Sequence, residues 1–286
     1  MEQQMIDVNK RELSNIRKAL KQTTPYTVLR EPFKRALKKV AYYKGDLLGK
    51  SGSGKTTILY AIAQALMILG YKVCIATEDV NTLCLYNDME ANSNPVPIFD
   101  LNSIARSLPE IKSIKKYGIQ SYNVRPSSVG REVQLKKADS HFTACSVVLP
   151  REYADIKSEV KIAILPKVTK LLEDVDIILV DDCSHISLQI AFTELHRNSS
   201  KVIFCVKDEK TKFFPKGLTY YTPVRLNTIA DLTKVVLNIK IKCKQKRESV
   251  ETTFLLSELR KLSTLAQDNV VAKNILDTAI QELQKL

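Results

Sequence analysis

The chain has no run of eighteen apolar residues, so no segment predicts a membrane-spanning helix. Its opening residues, Met1-Glu2-Gln3-Gln4-Met5-Ile6-Asp7, lack the basic start and apolar stretch of a secretion signal. A cytoplasmic protein is expected, at most peripheral to a membrane or nucleoid. The six cysteines, Cys74, Cys84, Cys145, Cys183, Cys205 and Cys243, are scattered with no C-x-x-C pair. They read as buried thiols rather than as a metal site or a disulfide framework. Histidine is also scarce, and His141 and His185 read as polar surface or core positions rather than as catalysts. Glycine is sparse as well, eight in 286 residues, so any cluster of it carries information.

Such a cluster exists. Gly49-Lys50-Ser51-Gly52-Ser53-Gly54-Lys55-Thr56 matches G-x-x-x-x-G-K-[ST] at every required position. Glycines in this spacing let backbone N–H groups curl around a phosphate, and the following helix turns its positive end toward the same anion. The loop predicts binding of a nucleoside triphosphate, with Lys55 on the β- and γ-oxygens and Thr56 on Mg2+. Residues 49–57, Thr57 included, form the expected nucleotide site.

The surroundings suit that motif. Thr56 to Leu69 is rich in helix formers, apolar on most faces and closed by Gly70, as for a helix buried against a sheet. Ala41 to Leu48 is expected to supply the preceding strand, although Lys44, Gly45 and Asp46 make it polar for a central strand. Further strands are expected at Lys72–Thr77, Cys145–Leu149, Asp176–Val180 and Lys201–Val206, with a helix at Leu101–Leu108 and another near Leu188–His196. A helix over Asp155–Asp174 is expected to kink or split at Pro166. Strands alternating with helices predict an α/β fold: a three-layer P-loop NTPase with a mostly parallel central sheet.

Three regions are expected. Residues 1–40 read as a basic helical extension broken near Thr23-Thr24-Pro25, residues 41–243 as the NTPase domain, and residues 244–286 as amphipathic helices interrupted around Gln267–Asn269. The net charge of +13 is concentrated toward the two ends. It allows non-specific DNA or another acidic surface as partner, or merely a solvated basic face.

Asp181 closes an aliphatic strand and is expected to hold the hydration shell of Mg2+ after Thr56 takes a direct position. Asp182 follows; it either polarises the attacking water or caps the next turn. Glu78-Asp79 closes the strand after the loop helix, where α/β proteins place their chemistry.

With Lys50 and Lys55 both present, Gly49 to Thr57 resembles the deviant loop G-K-G-G-x-G-K-T-T of the ParA/MinD family of ATPases, Ser51 replacing one glycine. Thr77-Glu78-Asp79 is similar to the family's strand ending in an aspartate pair, with Thr77 departing from the first acid. Ile178 to Asp181 looks like its second acidic strand, without the prolines that follow. The resemblance covers roughly residues 41–240. It implies an ATP-bound homodimer in which Lys50 reaches the other subunit's phosphates, Asp79 positions water, and hydrolysis releases a switch used in positioning or assembling a protein partner. The ATPase expectation thus rests on Lys50, Lys55, Asp79, Asp181 and Asp182, with ATP and Mg2+ as ligands. No L-S-G-G-Q segment supports an ABC ATPase. The one Asn-Lys-x-acid run, Asn9 to Glu12, precedes the loop, so ATP is favoured over GTP. Two alternatives stay open: a DNA-acting motor or loader of RecA or AAA+ type, with Arg225, Arg197 or Arg260 acting in trans, and a nucleotide-binding interaction protein with little turnover.

Overall fold

The computed structural model describes residues 2–43, 46–89, 93–110, 123–125, 134–136, 157–181, 183, 185–208, 224–267 and 269–284. The expected strand at Cys145–Leu149, together with Asp182 and His141, lies outside them.

Seven strands form the main sheet: β1 (Ala41–Tyr43), β2 (Asp46–Gly49), β3 (Val73–Thr77), β4 (Ile98–Asp100), β7 (Ile177–Asp181), β8 (Val202–Asp208) and β9 (Val224–Arg225). Their order is β4-β3-β7-β8-β2-β1-β9, and β5 (Asn123–Arg125) pairs separately with β6 (Gln134–Lys136). From β4 to β2 all neighbours run parallel, whereas β1 is antiparallel to β2 and to β9. The single strand expected over Ala41–Leu48 is therefore two. β1 and β2 pair antiparallel with Tyr43 opposite Asp46.

Alternate strand residues feed two separate cores, as a pleated strand requires. Val73, Ile75, Ile177, Leu179, Phe204 and Val206 pack on one face beneath α4 (Lys55–Ile68). Cys74, Ala76, Ile178, Val180 and Cys205 pack on the other against α7 (Leu165–Leu171) and α8 (Ile186–Asn198). The result is a three-layer α/β fold. Pro166 sits in the first turn of α7, and the expected break at this proline takes the form of a π-helical turn, Val160–Ile164, just ahead of it.

Residues 1–40 fold as α1 (Glu2–Lys21), α2 (Thr24–Thr27) and α3 (Arg30–Leu37). Pro25 stands in the first turn of α2, where its missing N–H costs nothing. These helices form no separate layer. Ile16, Ala19, Leu20, Phe33, Ala36 and Leu37 belong to the same core as α4. The amide of buried Gln64 joins them, accepting from Thr24 N at 2.7 Å and donating to Thr24 Oγ1 at 3.1 Å.

The break expected around Gln267–Asn269 falls between the two carboxyl-terminal helices, but the first of them starts earlier than expected. α9 runs unbroken from Ile229 to Leu265, opened by a capping box of Thr228 and Asp231, so a boundary at residue 244 falls inside it. α10 (Val270–Gln284) follows. The first half of α9 is anchored: Leu232, Val235, Val236, Ile239 and Cys243 are buried, and Lys240 meets Glu12 of α1 at 2.7 Å. α5 (Val80–Asn87) and α6 (Leu101–Ser107) complete the described helices.

Two lysines fasten helix ends. Lys201 Nζ donates to the carbonyls of Leu172, Glu173 and Val175 beyond α7, and Lys246 Nζ donates to those of His196 and Ser199 at the end of α8. Each satisfies carbonyls that a helix leaves unpaired. Burial, with Lys246, Lys242 and Arg197 nearby, pushes His196 down to about 4, and its Nδ1 accepts from Ile203 N. Cys74, Cys183, Cys205 and Cys243 are buried thiols and Cys84 is half-buried. Burial drives Cys74 up to about 12, which leaves it inert.

Candidate phosphate-binding site

β2 ends at Gly49 and α4 begins at Lys55, so residues 50–54 bridge a strand to a helix as the motif demands. Gly52 has φ 70° and Gly54 φ 89°, conformations that side-chain-bearing residues rarely adopt. At Gly54 space is restrictive too, since an added Cβ would lie 2.5 Å from the Cβ of Ala36. Helix α3 thus leans directly on the loop. At Gly49 an added Cβ would lie 2.5 Å from Ser53 Oγ.

Ser53 is 7% exposed, and its Oγ has no hydrogen-bond partner among the described residues. A buried unsatisfied hydroxyl is costly and is retained where something else completes it. Gly54 brings no side chain to cap α4, so the positive end of a fourteen-residue helix opens onto the same loop. Lys55 Nζ folds back to donate to Gly49 O at 2.8 Å and Lys50 O at 2.9 Å. Lys50, Ser51 and Gly52 are exposed at the loop's outer edge, and Thr56 and Thr57 are half-buried in the first turn of α4. Lys55, the start of α4 and the Ser53 hydroxyl are groups that would fit a phosphate.

The sheet brings acids to the same edge. Thr77 pairs with both Asp181 and Asp100, so the ends of β3, β7 and β4 align, while Gly49 pairs with Asp208, two residues further along the sheet than the level of Asp181. Asp181 is 8% exposed. Strand alternation puts Asp181 on the α4 side of the sheet, because Leu179 packs there and Val180 on the opposite face. β8 lies between β2 and β7, which separates loop strand and acid strand by about 10 Å. Asp79 caps α5, accepting from Thr82 Oγ1 at 2.8 Å and Thr82 N at 3.4 Å, and its own N–H donates to Thr77 Oγ1 at 3.0 Å.

α5 is also tied to the loop helix. Thr57 Oγ1 and Tyr86 Oη are 2.7 Å apart, and the rings of Tyr60 and Tyr86 stack at 4.9 Å. Any shift in the first turn of α4 is therefore felt by the helix that carries Asp79.

A polar cluster that sequence reasoning missed joins three strand ends beside these acids. Asn102 Nδ2 donates to Glu78 O at 2.9 Å, His185 Nε2 lies 3.4 Å from Asn102 Oδ1, and the same nitrogen lies 3.9 Å from Glu78 Oε1. Gln189 holds the chain between Asp181 and His185 by donating to Cys183 O at 2.7 Å. His185 is thus a structural partner of Glu78, a role that only the pairing of β3, β4 and β7 reveals. Arg225 donates to Lys39 O at 3.3 Å on the far edge strand, Arg197 lies 3.7 Å from Glu194, and Arg260 is exposed on α9. Among the described residues no helix is long and apolar enough to cross a membrane, and no group of three metal-ligating side chains forms a ready-made cage.

Compared with protein-family models, curated proteins and solved structures, the chain finds no match.

Proposed function

We propose that the chain binds ATP at residues 49–57 and hydrolyses it with the help of Mg2+. The observation that carries this reading is the buried, unpartnered Ser53 hydroxyl inside a glycine loop that opens onto the start of α4. Phosphate oxygens would accept from that hydroxyl and from the loop N–H groups, and Lys55 would exchange its two carbonyl partners for the β- and γ-oxygens. Thr56 and Asp181 would hold Mg2+, which when bound neutralises charge on the phosphates. A protein holds Mg2+ through one or two ligands plus the substrate, so a full cage of side chains is not required. Asp79, fixed by Thr82 and exposed at the edge that faces α4, is the acid assigned to orienting water.

The output proposed is a dimerisation switch. Lys50 supports it, being exposed at the outer edge of the loop, as a side chain must be to reach a second subunit. ATP held between subunits would stabilise only the associated state, and hydrolysis would release it. A second reading, a RecA- or AAA+-type motor or loader, is favoured by the strand order. In such cores one strand intervenes between loop strand and acid strand, as β8 does here, whereas in ParA/MinD-type cores the two are neighbours.

Calorimetry with a slowly hydrolysed ATP analogue tests the common part. Lys55→Ala should weaken binding roughly 10- to 100-fold, the worth of a charge-assisted contact, and unchanged affinity would refute the site. Lys50→Ala separates the outputs. In an Asp79→Ala background it should keep most of the affinity yet lose the increase in sedimenting mass that ATP induces. An increase equal to that of the parent would favour the motor.

A further inference from the structure

Helices α1 and α3 each bury one side and present the other to solvent. On α1 the buried side carries Ile16, Ala19 and Leu20, and at 3.6 residues per turn Lys10, Arg11, Arg17, Lys18 and Lys21 fall on the opposite side, all exposed. On α3 the buried side carries Phe33, Ala36 and Leu37. Arg30, Lys34 and Arg35, with Lys38 and Lys39 just beyond the last turn, hold its exposed positions. Both helices pack on α4, so the two basic faces form the outer surface of one layer.

No acid interrupts this surface unpaired. Residues 10–40 hold ten basic and two acidic residues, a net +8 within a chain of net +13. Both acids are engaged, Glu12 with Lys240 at 2.7 Å and Glu31 with Lys34 at 2.8 Å. The neighbouring elements add none, because α2, α4, β1 and β9 contain neither Asp nor Glu. The surface continues to Arg225 of β9, which donates to Lys39 O. Cations on the other layer are arranged differently: Lys157, Lys161 and Arg197 all converge on Glu194.

We infer that the outer surface of α1 and α3 binds the phosphate backbone of double-stranded nucleic acid without reading its sequence. Cations held on rigid helices with no free acid between them match a regularly spaced polyanion, and each phosphate they neutralise releases a counterion. A bilayer is a poorer match. The apolar residues of both helices, Ile16, Leu20, Phe33 and Leu37, are at most 4% exposed, so no apolar face remains to enter lipid. A single strand is a poorer match as well, because it is held by stacking its bases on aromatic rings. The only aromatics of α1 to α3, Tyr26 and Phe33, pack into the core and against each other, edge to face at 5.8 Å. The surface also adjoins the proposed nucleotide site: α3 turns its basic face outward while its Ala36 lies against Gly54, which places the duplex one helix away from the phosphate loop. Binding of the duplex does not itself rest on the nucleotide reading.

The test is fluorescence anisotropy of a labelled, mixed-sequence DNA duplex titrated with the full chain, without nucleotide, over a range of salt. With about six phosphates contacted, the affinity of the wild type should fall about 1,000-fold or more between roughly 50 and 200 mM salt. Lys18→Ala, Lys21→Ala, Lys38→Ala and Lys39→Ala combined should weaken binding at low salt and flatten the slope of log affinity against log salt by roughly three to four. Lys167→Ala, Lys170→Ala, Lys244→Ala and Lys273→Ala combined remove the same charge from exposed positions of α7, α9 and α10 and should leave the slope near that of the wild type. Circular dichroism of both variants guards against misfolding, which these exposed positions do not favour. Absence of binding at low salt would overturn the inference. So would equal losses in the two variants, which would reduce the effect to net charge. A single strand of the same length, polyglutamate or phosphatidylserine vesicles held more tightly than the duplex at equal charge would overturn it too, and would name the partner in its place. Lys55→Ala should bind the duplex as the wild type does, so failure of the nucleotide reading and failure of this surface remain distinguishable.

Discussion

Helices α4 and α10 have nearly the same length and opposite fates. α4 spans fourteen residues, of which nine are buried, while α10 spans fifteen and buries none. α10 shows the clean helical spacing of apolar residues that marks an amphipathic element, and α4 shows almost none because it is apolar all round. Periodicity therefore reports how many sides an element must hide, not how deeply it is hidden. A helix roofed by α1–α3 on one side and a sheet on the other needs no polar face. Among the described residues the amphipathic α10 packs chiefly on α9 and leaves many of its apolar side chains in water.

The comparison sharpens through substitutions of unequal effect. The largest is expected at Leu59, fully buried on α4: Leu59→Ala should cost about 2–5 kcal/mol, read from the urea midpoint, because the lost contacts leave a cavity the layers cannot collapse into. A loss below ~1 kcal/mol would show α4 to be loosely packed after all.

A smaller, pH-dependent effect is expected at Glu194 on α8. Burial pushes its carboxyl upward, but the ammoniums of Lys157 and Lys161, each 3.0 Å away, outweigh that and hold it below the ordinary value of 4.5. A carboxyl depressed in the folded state contributes stability above its unfolded value, and the contribution is lost as pH falls through the folded one. Wild-type stability should thus decline below about pH 4.5 more steeply than that of Glu194→Gln. Parallel acid titrations of the two would refute the assignment.

The smallest effect is expected at Ile275. Ile275→Ala should change stability by less than ~0.5 kcal/mol, since the side chain is largely in water already. A large loss there would mean that α10 is held by something more than α9.

How much of this was legible in the sequence depends on the range of the interaction. The loop, α4 and the aliphatic strands ending in Thr77 and Asp181 are written in local spacing, and they fall where the residues predict. Strand pairing is not local. That Glu78 meets His185 and Asn102, or that β8 separates Gly49 from Asp181, follows only from the order of strands in the sheet. That Ala41–Leu48 holds two antiparallel strands was disguised because two short strands and one polar strand share a composition. The contact of Ala36 with Gly54 was hidden because alanine signals nothing until a neighbour without a side chain lies against it. Helix α9 exceeded its expected span because its first half is buried and its second half solvated, so no single periodicity runs through it.

The ion pair of Glu12 with Lys240 joins helices that lie more than two hundred residues apart in the chain. On the ribosome this has a temporal meaning. α1 to α3 emerge well before α9, with Ile16, Leu20 and Phe33 shaped for a core that α9 helps to close. Nascent chains halted before residue 229 hold those side chains without α9 to cover them, so the phosphate loop is synthesised early but the domain that stiffens it is completed late. Contacts this distant slow folding and prolong exposure to chaperones and aggregation. α1 can thus pack on α4 early, and it meets α9 only more than two hundred residues later.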